Sequence, residues 1–195
     1  VSMSTALVVS SMIRVDGYAQ EEMDDETAVF TLTAGILGRL YLSGFINRMN
    51  PSRLALVKDA VTLHRAVLDE QGHVMPWWPD DLPSFNGPWL AYGLRHDERI
   101  SGALFPDVAH IIGEQGHREF LAVWCRGGVN SMYLHLGEGA HITQVFPDPT
   151  HPGHAPHARP WSIEHVDPET VRFTVANDDV PSARIFAVTY DAGDE

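Results

Sequence analysis

Hydrophobic positions change their period along the chain, and the changes divide it. Ala6 to Met12 is a short apolar, β-branched run bounded by serines, the pattern of a strand buried on both faces. An acidic stretch, Glu21-Glu22-Met23-Asp24-Asp25-Glu26, precedes Val29, Phe30, Leu32, Thr33, Ile36 and Leu37, which recur at helical spacing. Gly35 and Gly38 let that helix stop, and Leu40, Tyr41 and Leu42 predict a second buried strand ending at Ser43-Gly44. Strand, helix, strand over this length is a parallel β-α-β unit. Asn50 and Pro51 then predict a helix start. Leu54, Val57, Val61 and Leu68 form a stripe along residues 51–70, widened by Leu56, Ala60, Leu63 and Val67. Arg53, Lys58, Asp59 and Arg65 fall mostly on the opposite side. A stripe this broad requires a sheet or another helix beneath it.

Near residue 73 the pattern shifts. Pro76, Pro79, Pro83 and Pro88 sit among Trp77, Trp78, Phe85 and Trp89, which predicts a proline- and aromatic-rich crossing between domains over 73–89. Beyond it the sequence is strands and turns. Leu90 to Leu94, Glu119 to Arg126, Ser131 to Leu136, Ile142 to Phe146, Thr170 to Ala176 and Ala183 to Tyr190 are the strand candidates. Most alternate, as in Val171, Phe173 and Val175 against Arg172, Thr174 and Ala176, and Gly127-Gly128 and Asp178-Asp179 supply turns. Short alternating strands without intervening helices predict an antiparallel sandwich. The expected architecture is α/β plus all-β, the end of an α/β domain joined to a β-sandwich.

Composition narrows the partners. The chain has 195 residues, enough for one large or two small domains, with 13 basic and 26 acidic side chains, so the formal charge is 13 − 26 = −13. A surface that acidic repels phosphate backbones and anionic headgroups, so neither nucleic acid nor membrane is an expected partner. Cys125 is the one cysteine, which excludes a disulfide within the chain. Val1 to Ser11 lacks the basic start of a signal peptide, and the expected compartment is the cytoplasm. The chain runs almost at once into Ala6-Leu7-Val8-Val9, which reads as a piece of something longer.

The candidate chemistry is sparse. Glu21 to Glu26 offers several carboxylates, and glycosidases use a pair, but sequence neighbours at a helix start point different ways and read as a solvated cap. His151, His154, His157 and His165 lie in a stretch with two prolines and a glycine, and no thiolate or carboxylate has ligand spacing. That stretch reads as a flexible surface loop, and no metal is expected. Cys125, between Trp124 and Arg126 on a core strand, reads as a small buried hydrophobe. Trp77 and Trp78 are the candidates for stacking on a sugar. There is no phosphate loop, nucleophile elbow or dinucleotide fingerprint.

Longer strings carry a resemblance. Asp24-Asp25-Glu26-Thr27-Ala28-Val29-Phe30-Thr31-Leu32, followed by Gly38-Arg39-Leu40-Tyr41-Leu42-Ser43-Gly44, resembles the end of the catalytic barrel in α-galactosidase-like glycoside hydrolases, family 36 and its relatives. The likeness continues through Leu54 to Leu68, Pro76-Trp77-Trp78-Pro79, Trp89-Leu90-Ala91-Tyr92-Gly93-Leu94, Phe146-Pro147 and Ala183-Arg184-Ile185-Phe186. Leu121-Ala122-Val123-Trp124-Cys125-Arg126 looks like the family's core strand, with Cys125 where the family often has arginine. The resemblance implies residues 1–72 as the last β/α units of a catalytic barrel, 73–89 as the crossing and 90–195 as the C-terminal antiparallel β-sandwich. Ala6–Met12 then corresponds to the seventh barrel strand, 23–37 to the seventh helix, 38–44 to the eighth strand and 51–70 to the eighth helix.

Family members hydrolyse terminal α-galactosyl groups with retention, through an aspartate nucleophile and an aspartate acid/base on earlier strands that have no counterpart here. The resemblance therefore implies a structural fragment, inactive alone, with no catalytic residue of its own and no cofactor. Barrel sites lie at the C-terminal ends of strands, so Ser10, Ser11, Ser43 and Gly44 would edge the pocket. Its implied partners are the missing part of the barrel, a carbohydrate substrate in the full enzyme, and a second copy of the chain. The implied packing of 1–70 is against the sandwich through the aromatic crossing, or against that second copy. Two other classes compete: a stand-alone carbohydrate-binding sandwich using Trp77, Trp78 or Trp161, and a metal protein built on the histidine loop.

Overall fold

A computed structural model of the chain describes residues 13–15, 23–40, 42–44, 46–70, 74–79, 87–96, 119–176 and 179–190. In chain order the elements are β1 (Ile13–Val15), α1 (Asp25–Ile36), β2 (Leu42–Gly44), α2 (Pro51–Glu70), β3 (Val74–Trp77) and β4 (Trp89–His96). Then come β5 (Glu119–Cys125), β6 (Ser131–His135), β7 (Ala140–Phe146), β8 (Trp161–His165), β9 (Thr170–Val175) and β10 (Ser182–Tyr190). Single 3-10 turns lie at Ile46–Arg48 and Pro152–His154.

β1 and β2 pair in parallel, Ile13 against Leu42 and Val15 against Gly44, with α1 between them in the chain. The parallel strand-helix-strand unit is therefore present. Its first strand begins at Ile13; the expected strand Ala6–Met12 lies outside the described residues. The other described strands form two antiparallel sheets, five strands in the order β3-β4-β5-β10-β7 and three in the order β6-β9-β8. The molecule is thus mixed α/β with a sandwich-like β part.

The five-stranded sheet is the middle layer. In β5 every residue is buried: Phe120, Ala122 and Trp124 join the core under the helices, while Leu121, Val123 and Cys125 join the core between the sheets. A strand covered on both faces loses the polar half of its alternation, which is why Glu119–Cys125 reads as an almost continuous apolar run. Between the sheets Phe186 lies 5.1 Å from Phe173 and 6.1 Å from Trp161, and Trp161 meets Trp89 edge-on at 5.4 Å. Such aromatic pairs add roughly 0.5–1.5 kcal/mol each beyond their buried area. On the helix side, Val29, Leu32 and Ile36 of α1 and Leu56, Ala60 and Val67 of α2 close the second core.

Local chemistry sets the boundaries. Asn50 caps α2, its Oδ1 accepting from the Arg53 amide at 2.8 Å, and Pro51 takes the first helical position. Gly127 and Gly128, with φ of 101° and 88°, make the turn between β5 and β6 that side chains with a Cβ resist. In β7 the pairing steps from Gln144↔Phe186 to Phe146↔Ile185, so Val145 is an extra residue. This bulge reverses the side-chain parity. Ala140 and Ile142 face the other sheet, and Phe146 faces the helices.

The structure departs from the sequence reading in several places, among them β8, which the strand candidates did not include. Val74–Trp77, expected inside an interdomain crossing, is a strand antiparallel to β4, with Pro76 opposite Leu94, and among the described residues it stands at the edge of its sheet. Proline is tolerated there because an edge strand has only one neighbour to hydrogen-bond. Among the described residues, α1 lies against β10. Arg53, assigned to the polar side of its helix, is buried with the core for a reason given below.

Candidate functional site

The implied pocket rim falls partly within the described residues. Ser43 and Gly44 close the C-terminal end of β2, in register with Arg14 and Val15 of β1; Ser10 and Ser11 lie outside the described residues. A helix that returns the chain between two parallel strands starts at the end where the first strand stops. The N-terminus of α1 and, through the turn Ile46–Arg48, that of α2 therefore lie toward the C-terminal ends of β1 and β2.

At this end the acidic run does more than cap. Asp24 is the cap, accepting from the Thr27 amide at 2.7 Å and from the Thr27 hydroxyl at 3.1 Å. Asp25 and Glu26, expected to be solvated, are 8% and 4% exposed. Asp25 Oδ1 accepts from Arg53 Nη2 at 3.1 Å, and its Oδ2 from the His157 amide at 2.8 Å. Arg53 also donates to the Met23 carbonyl at 2.8 Å, which explains its burial. Burial lowers the Arg53 pKa from its ordinary value, and Asp25 and Asp24 oppose that shift. Glu26 takes both arms of Arg184, Nη1 to Oε2 at 2.9 Å and Nη2 to Oε1 at 2.8 Å, and accepts from the Arg159 amide as well. Arg184, 1% exposed, donates further to the carbonyls of Ala183 and Arg159 and lies 5.5 Å from the Trp161 ring centre. Neighbouring carboxylates do diverge as the sequence suggested, but each meets a partner from a different element.

The histidine loop is held, not loose. His157 and Arg159 are tied through their backbone to the first turn of α1, and His154 Nδ1 meets Asp59 Oδ2 of α2 at 2.5 Å. His151 Nδ1 meets Asp148 Oδ2 at 2.9 Å, and the His151 and His154 rings stack 5.0 Å apart, within 5° of parallel. The Thr150 hydroxyl, ahead of the other contacts, holds the Asp148 pKa below its ordinary value. Parallel rings do not converge on one ion, and among the described residues no group of three or more His, Cys, Asp or Glu is placed to hold a metal. His165 ends β8, exposed.

The structure does not bring Trp77 and Trp78 onto one platform. Trp77 packs toward the core between the sheets, its indole over Gly93 and the Arg95 guanidinium 3.9 Å from its ring centre. Trp78 packs against Tyr92 at 5.8 Å, and that ring belongs to the core under the helices. Burial raises the Tyr92 pKa.

One cluster was not singled out from sequence. Arg95 Nε donates to Glu119 Oε1 at 2.8 Å and its Nη2 to the Tyr190 hydroxyl at 3.2 Å. Tyr190 lies 3.1 Å from Glu119 Oε2 and 2.9 Å from the Leu136 carbonyl, and burial and then Glu119 raise its pKa. The group joins the ends of β4, β5 and β10. The one sequence signal for it was a charged residue, Glu119, heading an apolar strand.

No protein-family model, no curated protein and no solved structure matches the chain. Among the described residues no helix is long and apolar enough to cross a membrane.

Proposed function

We propose that the chain is the C-terminal portion of an α-galactosidase-like retaining glycosidase, structural and inactive by itself, with the full enzyme acting on terminal α-galactosyl or related α-glycosyl groups. The observation that carries this reading is the parallel β1-α1-β2 unit, followed by α2 and then by an antiparallel two-sheet region, in the order the sequence resemblance implies. Two parallel strands cannot close an eight-stranded barrel. Hence the partner is the rest of the barrel, and β1 and β2 are its last strands, with Ser43 and Gly44 at the pocket rim. Leu54, Val61 and Leu68 are spaced seven apart along α2; the first two are half-buried and Leu68 is exposed, which fits a helix with a second neighbour. A cytoplasmic compartment goes with this reading.

The full enzyme would use two inverting displacements through a covalent glycosyl-enzyme, both carboxylates being supplied by upstream strands. The stand-alone sugar-binding reading draws no comparable support, because Trp77 and Trp78 pack toward opposite faces of the sheet.

The test is the intact mass of the natural protein in its source, isolated with an antibody against this chain and assayed on p-nitrophenyl α-galactoside. The expected product is several times heavier than 21.6 kDa and hydrolyses the substrate, whereas the 195-residue chain does not. A natural product near 21.6 kDa, or a larger one without glycosidase activity, overturns the proposal.

A further inference from the structure

The network that joins α1 to the sandwich has features that stability alone does not require. Glu26 and Arg184 are buried, stand 158 residues apart in sequence, and meet through both arms of the guanidinium. The Arg159 backbone closes the ring, its amide donating to Glu26 and its carbonyl accepting from Arg184. Beside it, Asp25 joins α1 to α2 through Arg53 and to the same loop through the His157 amide. A buried ion pair adds little net stability over a well-packed apolar pair of the same volume, and its best-attested use is to fix geometry. The fork of Arg184 on a carboxylate is directional in a way an apolar contact is not. The network also lies at the end of α1 that leads toward Val15 and Gly44, the C-terminal ends of the two parallel strands.

We propose that Glu26 and Arg184 are positioning residues. Through α1 and the α2 N-terminus they set where the C-terminal end of β2, Ser43 and Gly44, stands relative to the sandwich. In the full glycosidase the sandwich thereby holds one side of the substrate pocket in place; this last step rests on the function proposed above. The residues touch no substrate, and their effect passes through backbone placement.

Two measurements test it. In this chain, amide NMR of E26Q is compared with wild type; glutamine keeps the shape of the side chain but sets an amide N–H against the guanidinium. The Ser43 and Gly44 amides are expected to shift along with residues of the first turn of α1. Changes confined to that turn, residues 157–160 and β10 overturn the inference. R184K, which keeps the charge and loses the fork, is expected to move the same two amides and supplies the test should E26Q not fold. In the natural full-length protein, E26Q is expected to lower kcat/KM on p-nitrophenyl α-galactoside by roughly tenfold to a hundredfold while circular dichroism shows it folded. Wild-type kcat and KM in the folded variant overturn the positioning role. A wild-type protein without activity overturns the glycosidase reading instead, and the NMR comparison still decides the placement of Ser43 and Gly44.

Discussion

A methyl group at Gly93 would stand 2.3 Å from Trp77 Nε1 and 2.9 Å from the Phe120 carbonyl oxygen. The indole could swing away, but the carbonyl belongs to a paired strand and cannot. G93A is therefore expected to displace Trp77, undo its stacking with Arg95 and cost about 1–3 kcal/mol, read from urea unfolding followed by tryptophan fluorescence. A wild-type midpoint and emission maximum would show that the site is looser than described. A larger loss is expected at Arg184. R184M leaves the buried Glu26 carboxylate without its cation, at a cost of about 3–5 kcal/mol, while the double variant E26M/R184M loses less in the same unfolding assay. Single residues were also the hardest scale to read from sequence. Asp24, Asp25 and Glu26 look alike there, as acids opening a helix. Only the fold separates a cap from two buried ion-pair partners, because Arg53 and Arg184 lie far along the chain and nothing local announces them.

At the scale of elements, local chemistry spoke plainly where an element is self-contained. Residues 51–70 carry their cap, their proline and their stripe within one window, and that helix was legible. β8 was less legible: its alternation is confined to Trp161 and Ile163, and a histidine- and proline-rich stretch runs directly into it. β3 was illegible for a physical reason, since two of the strongest strand-opposing signals, prolines at 76 and 79, sit in and just after it, and only the edge position makes Pro76 acceptable. The turn from β8 to β9 offers a pH test. Asp167 Oδ1 accepts from the amides of Glu169 and Thr170 at 2.9 and 2.8 Å, and the Glu169 amide in first place lowers its pKa from 3.8. A carboxyl depressed in the folded state stabilises fully above its unfolded value and loses that contribution as pH falls through the folded one. D167A is accordingly expected to melt below wild type near neutral pH, with the gap closing well under pH 3.8. A gap that stayed constant down to strongly acid pH would mean the turn draws nothing from the ionised form.

For the molecule as a whole, the question is whether helices and sheets are one cooperative body. α1 shares a core with β5, β7 and β10, and its first turn is bonded to the loop between β7 and β8 and to β10. Thermal unfolding followed by helical circular dichroism and by tryptophan fluorescence is expected to give coincident curves. Separate midpoints would mean that the helical layer melts off an intact sandwich. The sequence divided the chain at about residue 73 because the hydrophobic period changes there, from helical stripe to strand alternation. The period reports local structure, however, and is blind to burial shared across the division.

β10, the last strand among the described residues, sits fourth of five in its sheet, between β5 and β7. On the ribosome, β5 and β7 emerge first and must wait with a strand-wide slot between them. The Glu26 side chain waits longer still, since 158 residues separate it from Arg184. At roughly 5–20 residues per second that interval is on the order of 10–30 s. During it the nascent chain carries an unneutralised carboxylate at the start of α1 and, once β5 and β7 have emerged, unpaired strand edges as well. A message shortened before the codons of β10 is expected to yield a product in which β5 and β7 stay unjoined and Glu26 lacks its cation.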